Sequence, residues 1–244
     1  MAIIHTPRLL AAIARGMIKR RRAIAAGDSD PRFVGFPPPP GGPDTDGKNT
    51  DDNNNVHVYR SRPNVLWDVD YLGHLNNASY LTHAEYARWE WMTENGVLQT
   101  MYEQGMVMML THTAVRFRKE IGLRDRFEIW SNLEAIDDRH IWTHQTFRSG
   151  GGGRILAQVS HQAVVVKDRK VVPPITLLEA MGIPEDVSES LGRRDKTDGS
   201  DGDTACEDDD AANLLKRFRA LDEAFRKEAA ADDERLRSAS TKEK

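Results

Sequence analysis

The chain has 244 residues, of which 39% are hydrophobic, and its mean hydropathy is -0.60. A substantial part of it is therefore expected to lie outside any hydrophobic core. The formal charge of -4 argues against a general nucleic-acid binder, which needs a basic face. A single cysteine, Cys206, excludes a disulfide framework and a cysteine-rich metal site within one chain.

The first 27 residues have the composition of a basic amphipathic helix. Residues 1–26 contain six cations and no acidic residue. At about 100° per residue, apolar and cationic side chains separate onto different sides of such a helix. The apolar side holds Leu10, Ile13, Met17 and Ile24, and the cationic side holds Arg8, Arg15, Lys19 and Arg22.

This pattern resembles a mitochondrial presequence or a membrane-surface anchor. We therefore interpret residues 1–27 as a targeting or anchor segment. It predicts a mitochondrial localisation, or otherwise a cytoplasmic or membrane-associated protein with peripheral membrane contact. The segment lacks the roughly 18 consecutive apolar residues that a spanning helix needs. A solvated basic arm is the alternative.

Polar segments separate the termini from the middle of the chain. Residues 28–55 are rich in Pro, Gly, Asp and Asn and are predicted to be a disordered linker. Residues 189–210 form a second, acidic linker. In residues 211–244, leucine and phenylalanine recur at spacings of three and four, which predicts a C-terminal helical tail. That tail could dock on the domain or on a partner.

The globular part spans residues 56–188 and begins with a strand over 56–66, where Pro63 restricts the strand to an edge, an end or a bulge. A helix follows, which Asn76 or Asn77 can cap and which stops at Gly96. A short helical piece over 97–104 comes next. The long helix has a buried stripe of Tyr80, Ala84, Ala87 and Trp91, and an outer face with Glu85, Arg88 and Glu90.

Beyond Gly105 the hydrophobic period changes from that of a helix to that of strands. In the first strand, one face is predicted to hold Val107, Met109, Thr111, Thr113, Val115 and Phe117. Three more strands follow, joined by the short turns at 137–139 and 149–154. One strand, one long helix and an antiparallel meander make an α+β protein with a single hotdog fold, in which the sheet wraps around the helix.

The segment DVDYLGHLNNASYL, residues 68–81, joins the first strand to the long helix. It resembles the D-L-D-x-N-x-H-x-N-N-x-x-Y signature of the hotdog-fold acyl-CoA and acyl-carrier-protein thioesterases, the 4-hydroxybenzoyl-CoA thioesterase-like superfamily. Downstream, VRFRKE at 115–120 is similar to a family motif of an aromatic residue, two basic residues and Glu. The overall likeness is greatest to the eukaryotic thioesterase-superfamily member-six group and covers roughly residues 56–180.

The resemblance implies a thioesterase site. In such enzymes a carboxylate activates water or attacks the thioester carbon, and preplaced donors stabilise the oxyanion. The implied catalytic residues are Asp70, which matches the family's aspartate, His74, which would orient the thioester or assist the departing thiol, and Glu120. The implied substrate-binding residues are Asn76, Asn77, Tyr80, His112, Arg116 and Arg118.

The substrate class implied is an acyl-CoA or acyl-carrier-protein thioester, and the implied assembly is a homodimer or homotetramer. No cofactor, metal or nucleic-acid partner is expected. Arg116, Arg118 and Lys119 would meet the phosphates of coenzyme A in such a dimer. A solvated strand face is the alternative for these three cations.

The chain departs from the plant-type signature at Leu72, where those members have Asn. Two interpretations stay open: a hydrolase working through Asp70 and the helix terminus, or a degenerate hotdog that binds acyl groups without cleaving them. Asp68 and Asp70 could also be loop-forming carboxylates, and Asp68 is interpreted as structural. His140 and His144 would lie about 13 Å apart on a strand, too far to share one metal ion.

Overall fold

The computed structural model describes residues 2–27, 34, 56–183 and, near the C-terminus, 227, 228, 230–232, 234 and 235. Except for Val34, the predicted linkers at 28–55 and 189–210 lie outside the described residues, as does most of the predicted tail over 211–244. The domain boundaries at these positions therefore stay predictions. The described residues of the tail are helical.

A curved antiparallel sheet forms the body of the protein. Its strands are β1 (His57–Ser61), β2 (Met106–Phe117), β3 (Phe127–Ile136), β4 (Ile141–Ser149), β5 (Ile155–Lys167) and β6 (Lys170–Val172). Their order is β1-β3-β4-β5-β2, with β6 paired to β5. Strand β2 is thus an edge of the sheet. Strand β1 is shorter than expected, because it ends at Ser61, two residues before Pro63.

The long helix α2 (Asn77–Glu94) lies against the inner face of this sheet. Its predicted stripe is confirmed, since Tyr80, Ala84, Ala87 and Trp91 are all buried. The short helix α3 (Val97–Gln104) follows, and α4 (Ile175–Ala180) closes the far end of the core. A sheet wrapped around one central helix is the α+β hotdog fold that the sequence predicted.

A β-bulge changes the predicted faces of β2. The register of β2 against β5 shifts between Leu110 and His112. Thr113 contacts His161 and Phe117 packs on Tyr80, so the end of β2 after the bulge has these residues on the inner face. Val107 and Met109 lie on the outer face instead. The prediction that they share a face with Thr113 is wrong, because an extra residue reverses the alternation.

A further helix, α1 (Ala2–Ala26), packs along α2. The two helices approach closely at Gly16, where a Cβ atom would collide with the backbone oxygen of Glu90 and the Cβ of Thr93. The cationic side of α1 faces inward: Arg15 Nε lies 2.7 Å from Glu90 Oε2, and Lys19 Nζ lies 2.7 Å from Glu90 Oε1. The prediction that Glu90 is on the outer face is therefore wrong, because α1 covers it.

The apolar side of α1 points away from the domain. Leu10, Met17, Ile18 and Ile24 are between 49% and 60% exposed. Among the described helices, none is both long and apolar enough to cross a bilayer. Targeting to mitochondria and peripheral membrane contact stay predictions. The structure adds that the cations Arg8, Arg15 and Lys19 form ion pairs with the domain.

Candidate functional site

The loop that carries the signature motif is held by hydrogen bonds between its own residues. Val69 forms an antiparallel bridge with Leu75, and the Asp70 amide donates to the carbonyl of His74 at 2.9 Å. The Asp70 side chain is half-buried, and its Oδ1 accepts hydrogen bonds from the amides of Leu72 at 2.9 Å and His74 at 3.2 Å. Oδ2 accepts neither of them. Asp70 therefore shapes the loop with one oxygen and keeps the other for further contacts.

Asp68 has the structural role expected from the sequence. Its carboxylate is 3% exposed and accepts a bidentate pair from Arg8, with distances of 2.8 Å and 2.9 Å. The ring of His83 lies 3.1 Å from Asp68 Oδ2, and the amide of Asn64 donates to the same oxygen at 2.8 Å. Although burial raises the pKa of Asp68, the bonds from His83 and Arg8 outweigh it and hold that pKa well below its usual range.

His74 and Glu120 come together across the loop. His74 Nδ1 lies 3.7 Å from Glu120 Oε2, and His74 forms a bridge with Gly122. The His74 side chain is 35% exposed and that of Glu120 is 72% exposed. Both groups can therefore reach a ligand in solvent. A solvated pair at this distance contributes little to stability, which leaves both side chains available for binding and proton transfer.

The amino end of α2 lies at the end of this loop. Asn76 is its N-cap: Oδ1 accepts from the Ser79 amide at 2.9 Å, and Nδ2 donates to the carbonyl of Asp68 at 3.1 Å. Asn77 is the first helical residue and is exposed. Amides of a first turn have no carbonyl partner within their helix. The amides of Asn77 and Ala78 therefore form a terminus with partial positive charge beside the loop.

Tyr80 lies in the core behind the site. It is 3% exposed, its ring packs against Phe117 and Phe147, and its hydroxyl donates to the carbonyl of Lys119 at 3.4 Å. Burial raises its pKa to about 12. The hydroxyl is therefore protonated at neutral pH. Tyr80 links α2 to the segment that carries Glu120.

An open cleft adjoins the pair of His74 and Glu120. It is lined by Arg118, Lys119, Glu120, Ser149, Arg154 and Leu156. Three cationic side chains and one carboxylate give the lining a net positive charge. The amides of Arg118 and Lys119 both donate to the carbonyl of Leu156, which fixes the end of β2 against β5. The cleft can therefore hold an anionic group a short distance from the signature loop.

Two of the predicted binding residues lie elsewhere. His112 is on the outer face of the sheet, where Nδ1 lies 2.7 Å from Gln162 Oε1. Arg116 also points to the outer face, because it alternates with Val115 and Phe117. Its Nη1 is buried and has no partner within the described residues. The structure thus brings together Asp70, His74, Glu120, Asn76, Asn77 and Arg118, and places His112 and Arg116 outside this group.

Sequence reasoning missed Ser149 and Arg154, which the segment SGGGGR places on the two sides of one turn. It interpreted this segment only as a turn. The sequence does show Arg154 directly after the glycines. Because the hairpin leads into β5 and β5 pairs with β2, Arg154 must lie near the end of β2. The contact of Arg88 with His161 was also missed, because the sequence places Arg88 on the outer face of α2.

Comparisons with known proteins agree with this architecture. The sequence pattern of the Thioesterase-like superfamily matches residues 65–191. Protein THEM6 of Xenopus laevis is 35% identical over 80 residues, which cover 33% of this chain and 39% of that protein. Protein THEM6 of Danio rerio is 26% identical over 171 residues, which cover 69% of this chain and 74% of that protein.

Among solved structures, the YbaW probable thioesterase of Escherichia coli matches with a TM-score of 0.46 and 21% identity. The match covers 52% of this chain and 95% of the YbaW chain.

Proposed function

Because the chain belongs to the thioesterase-like superfamily, we propose that it hydrolyses acyl thioesters of coenzyme A at the amino end of α2. The observation that carries the proposal is the cationic cleft beside His74 and Glu120. Coenzyme A bears several phosphate groups, and Arg118, Lys119 and Arg154 offer matching charges. An acyl-carrier-protein thioester presents one phosphate on its arm and is the second carrier to be tested.

The proposed reaction begins with water activated by Asp70. Oδ2 takes a proton from the water as its oxygen attacks the thioester carbon. The amides of Asn77 and Ala78 stabilise the negative charge that develops on the carbonyl oxygen. The carbon–sulfur bond then breaks, and His74, assisted by Glu120, delivers a proton to the departing thiolate. The products are a carboxylic acid and free coenzyme A.

Replacing Asp70 with Asn is expected to lower thiol release from acyl-CoA by about 100-fold or more, the usual worth of a general base. The amide oxygen of Asn can still accept the loop hydrogen bonds, so the fold should persist. The measurement is thiol release with short, medium and long acyl-CoAs and with acyl carrier protein thioesters.

The matched control is Asp137→Asn. Asp137 Oδ1 also accepts two loop amides, those of Arg139 at 2.8 Å and His140 at 2.6 Å, in the turn before β4. This variant should retain wild-type turnover. Equal rates in wild type and Asp70→Asn would remove Asp70 from the mechanism.

A second candidate function, acyl binding without hydrolysis, is favoured by one observation. Leu72 is 61% exposed at the position where plant-type members have Asn, and one Asp70 oxygen is occupied by loop amides. In that case acyl-CoA would raise the melting temperature, because a ligand that binds only the native state stabilises it. No thiol would be released with any carrier or chain length.

We further propose that two copies pair along β2. This strand is an edge of the sheet, and Val107, Met109, Leu110 and Phe117 are each at least 42% exposed. An exposed apolar edge strand is a template for pairing with another strand. The end of β2 adjoins the cationic cleft, so pairing would bring a second chain close to the site.

The wild-type protein is expected to sediment at twice the chain mass of 27.5 kDa. Met109→Lys should weaken the dimer and shift sedimentation toward the monomer, because a charge would enter the apolar edge. Tyr102→Lys is the control, since Tyr102 is 89% exposed on α3. A monomeric wild type at micromolar concentration would contradict the pairing.

A further inference from the structure

The turn between β4 and β5 contains four consecutive glycines at 150–153, and residues 149–154 are called the glycine turn. Glycine loses more conformational freedom on folding than any other residue. Gly151 and Gly152 have φ angles of 78° and 70°, a region that favours glycine. A Cβ atom on Gly152 would lie 2.9 Å from Cζ2 of Trp130. Contacts from neighbouring side chains must therefore contribute to holding this turn in one conformation.

Arg148 makes such contacts with the glycine turn. Its Nη1 donates to the carbonyls of Gly152 at 3.4 Å and Gly153 at 3.2 Å. Its guanidinium lies over the Trp130 ring, 4.7 Å from the ring centroid. The Arg148 side chain is 14% exposed, so these hydrogen bonds from a cation are largely shielded from water. Arg148 thus ties the glycine turn to the sheet.

The tail helix, formed by the described residues between 227 and 235, provides the counter-charge of Arg148. Asp232 Oδ1 accepts from Arg148 Nη1 at 2.9 Å, and the Asp232 side chain is 11% exposed. Because Nη1 carries two hydrogens, it can serve Asp232 and the glycine carbonyls together. Four residues earlier, Glu228 Oε2 accepts from Gln158 Nε2 at 2.7 Å, which docks the same side of the tail helix on β5.

The glycine turn also carries two residues of the cationic cleft. Ser149 and Arg154 stand on either side of the glycines, and both line the cleft together with Glu120. The Ser149 amide donates to the carbonyl of Arg154 at 3.0 Å, so the two residues are joined through the backbone of the turn. The conformation of the turn therefore determines where the Arg154 guanidinium lies.

We propose that Arg148, paired with Asp232 of the tail helix, is a positioning residue that keeps Arg154 in the cleft and so sets the affinity for the phosphates of coenzyme A. The inference rests on the proposed function, because it concerns the carrier of the thioester. Arg148 does not line the cleft, so it acts through the glycine turn. Loss of the pairing loosens the turn and weakens phosphate binding, while Asp70 and His74 keep their places.

The test compares an acyl-CoA with the matching acyl-pantetheine thioester, which has the same reacting group and no phosphate. Arg148→Met should raise the KM for acyl-CoA at least about tenfold, the effect of losing a charge-assisted hydrogen bond. The kcat should stay within about twofold of wild type, because only binding is weakened. The KM for the pantetheine thioester should not change. Arg148→Lys keeps the cation beside Asp232 and should recover part of the affinity.

A double variant checks that Arg148 acts through Arg154. Arg154→Met should raise the KM for acyl-CoA in the same way, and adding Arg148→Met to it should cause no further loss. Asp232→Asn should raise this KM by a smaller factor than Arg148→Met, because the counter-charge is lost but the guanidinium remains. The controls are Arg139→Met and Glu234→Gln, since both side chains are exposed and lie outside these contacts. Both should behave as wild type.

Calorimetric titration of the full-chain variants with CoA and with pantetheine separates this proposal from the proposed hydrolysis. If CoA binds but no thiol is released, hydrolysis fails, and Arg148→Met should still weaken CoA binding about tenfold. Unchanged affinity for CoA in Arg148→Met, an equal loss with the pantetheine thioester, or additive losses in the double variant would each overturn the proposal. A wild type that binds CoA no more tightly than pantetheine would overturn it as well.

Discussion

Replacing Asp68 with Ala is expected to lower the free energy of unfolding by about 3 to 5 kcal/mol. The substitution leaves the guanidinium of Arg8 and the ring of His83 without their shared carboxylate. His83 is fully buried and its Nδ1 has no partner within the described residues. The Arg8 side chain is 26% exposed, so water can partly solvate it and the lower end of this range is expected. Urea unfolding at pH 7 measures the change.

Asp137→Ala is the comparison, since the Asp137 side chain is 41% exposed and its partners, the amides of Arg139 and His140, the His140 ring and the Trp142 indole, all lie within five residues of it along the chain. It should cost about 1 to 2 kcal/mol, less than Asp68→Ala, because water can replace these bonds at an exposed side chain. The single variant Arg8→Met and the double variant with Asp68→Ala complete a double-mutant cycle. This cycle measures the interaction free energy between Arg8 and Asp68. Additive losses would show that the pair does not couple α1 to the signature loop, contrary to the geometry.

The hotdog fold could be predicted because its parts are local. The stripe from Tyr80 to Trp91 has helical spacing, the strands alternate, and the turn at 149–154 is rich in glycine. Asn76 is recognisable as a cap because a polar residue immediately precedes the apolar helix. Each of these signals lies within about 20 residues of chain, where propensity and periodicity are informative.

The packing of α1 could not be predicted, because it depends on partners distant in the chain. Arg8 and Asp68 are 60 residues apart, and Arg15 and Glu90 are 75 apart. Amphipathicity favours burial of the apolar side, yet buried carboxylates on α2 turn the cationic side inward. Gly16 was the remaining indication in the sequence that this side of α1 packs against another helix. A residue without a side chain among the cations permits a close contact between two helices.

The candidate site was predicted in part for the same reason. Asp70, His74 and Asn76 are within seven positions of one another, and a loop keeps them together. Glu120 reaches His74 only because β2 returns to the amino end of α2. His112 and Arg116 were expected at the site from the family resemblance, but the bulge after Leu110 and the sheet alternation direct them to the outer face.

Lowering the pH from 7 to 5 is expected to destabilise the protein by about 2 kcal/mol through His161 alone. The folded pKa of His161 is lowered to about 3, first by burial and then by the charges of Arg88 and His144, whereas an unfolded histidine titrates near 6.5. The unfolded state therefore binds more protons between these values. The contribution is complete above pH 6.5 and is lost as the pH falls toward 3. Burial also lowers the pKa of His57 and His83, which act in the same direction.

The measurement is the difference in the free energy of unfolding between pH 7 and pH 5. It should shrink by about 2 kcal/mol in His161→Gln, because the titrating group is gone. Thr113→Val removes the hydroxyl bonded to Nδ1 but leaves the ring buried, so it should destabilise the protein at both pH values and keep most of the difference. The same pH dependence in His161→Gln and wild type would mean that this ring binds protons equally in the folded and unfolded states, so that it is charged in the folded protein at pH 5. In that case Nδ1 would donate to the Thr113 hydroxyl at pH 5, and a second charge would lie beside Arg88.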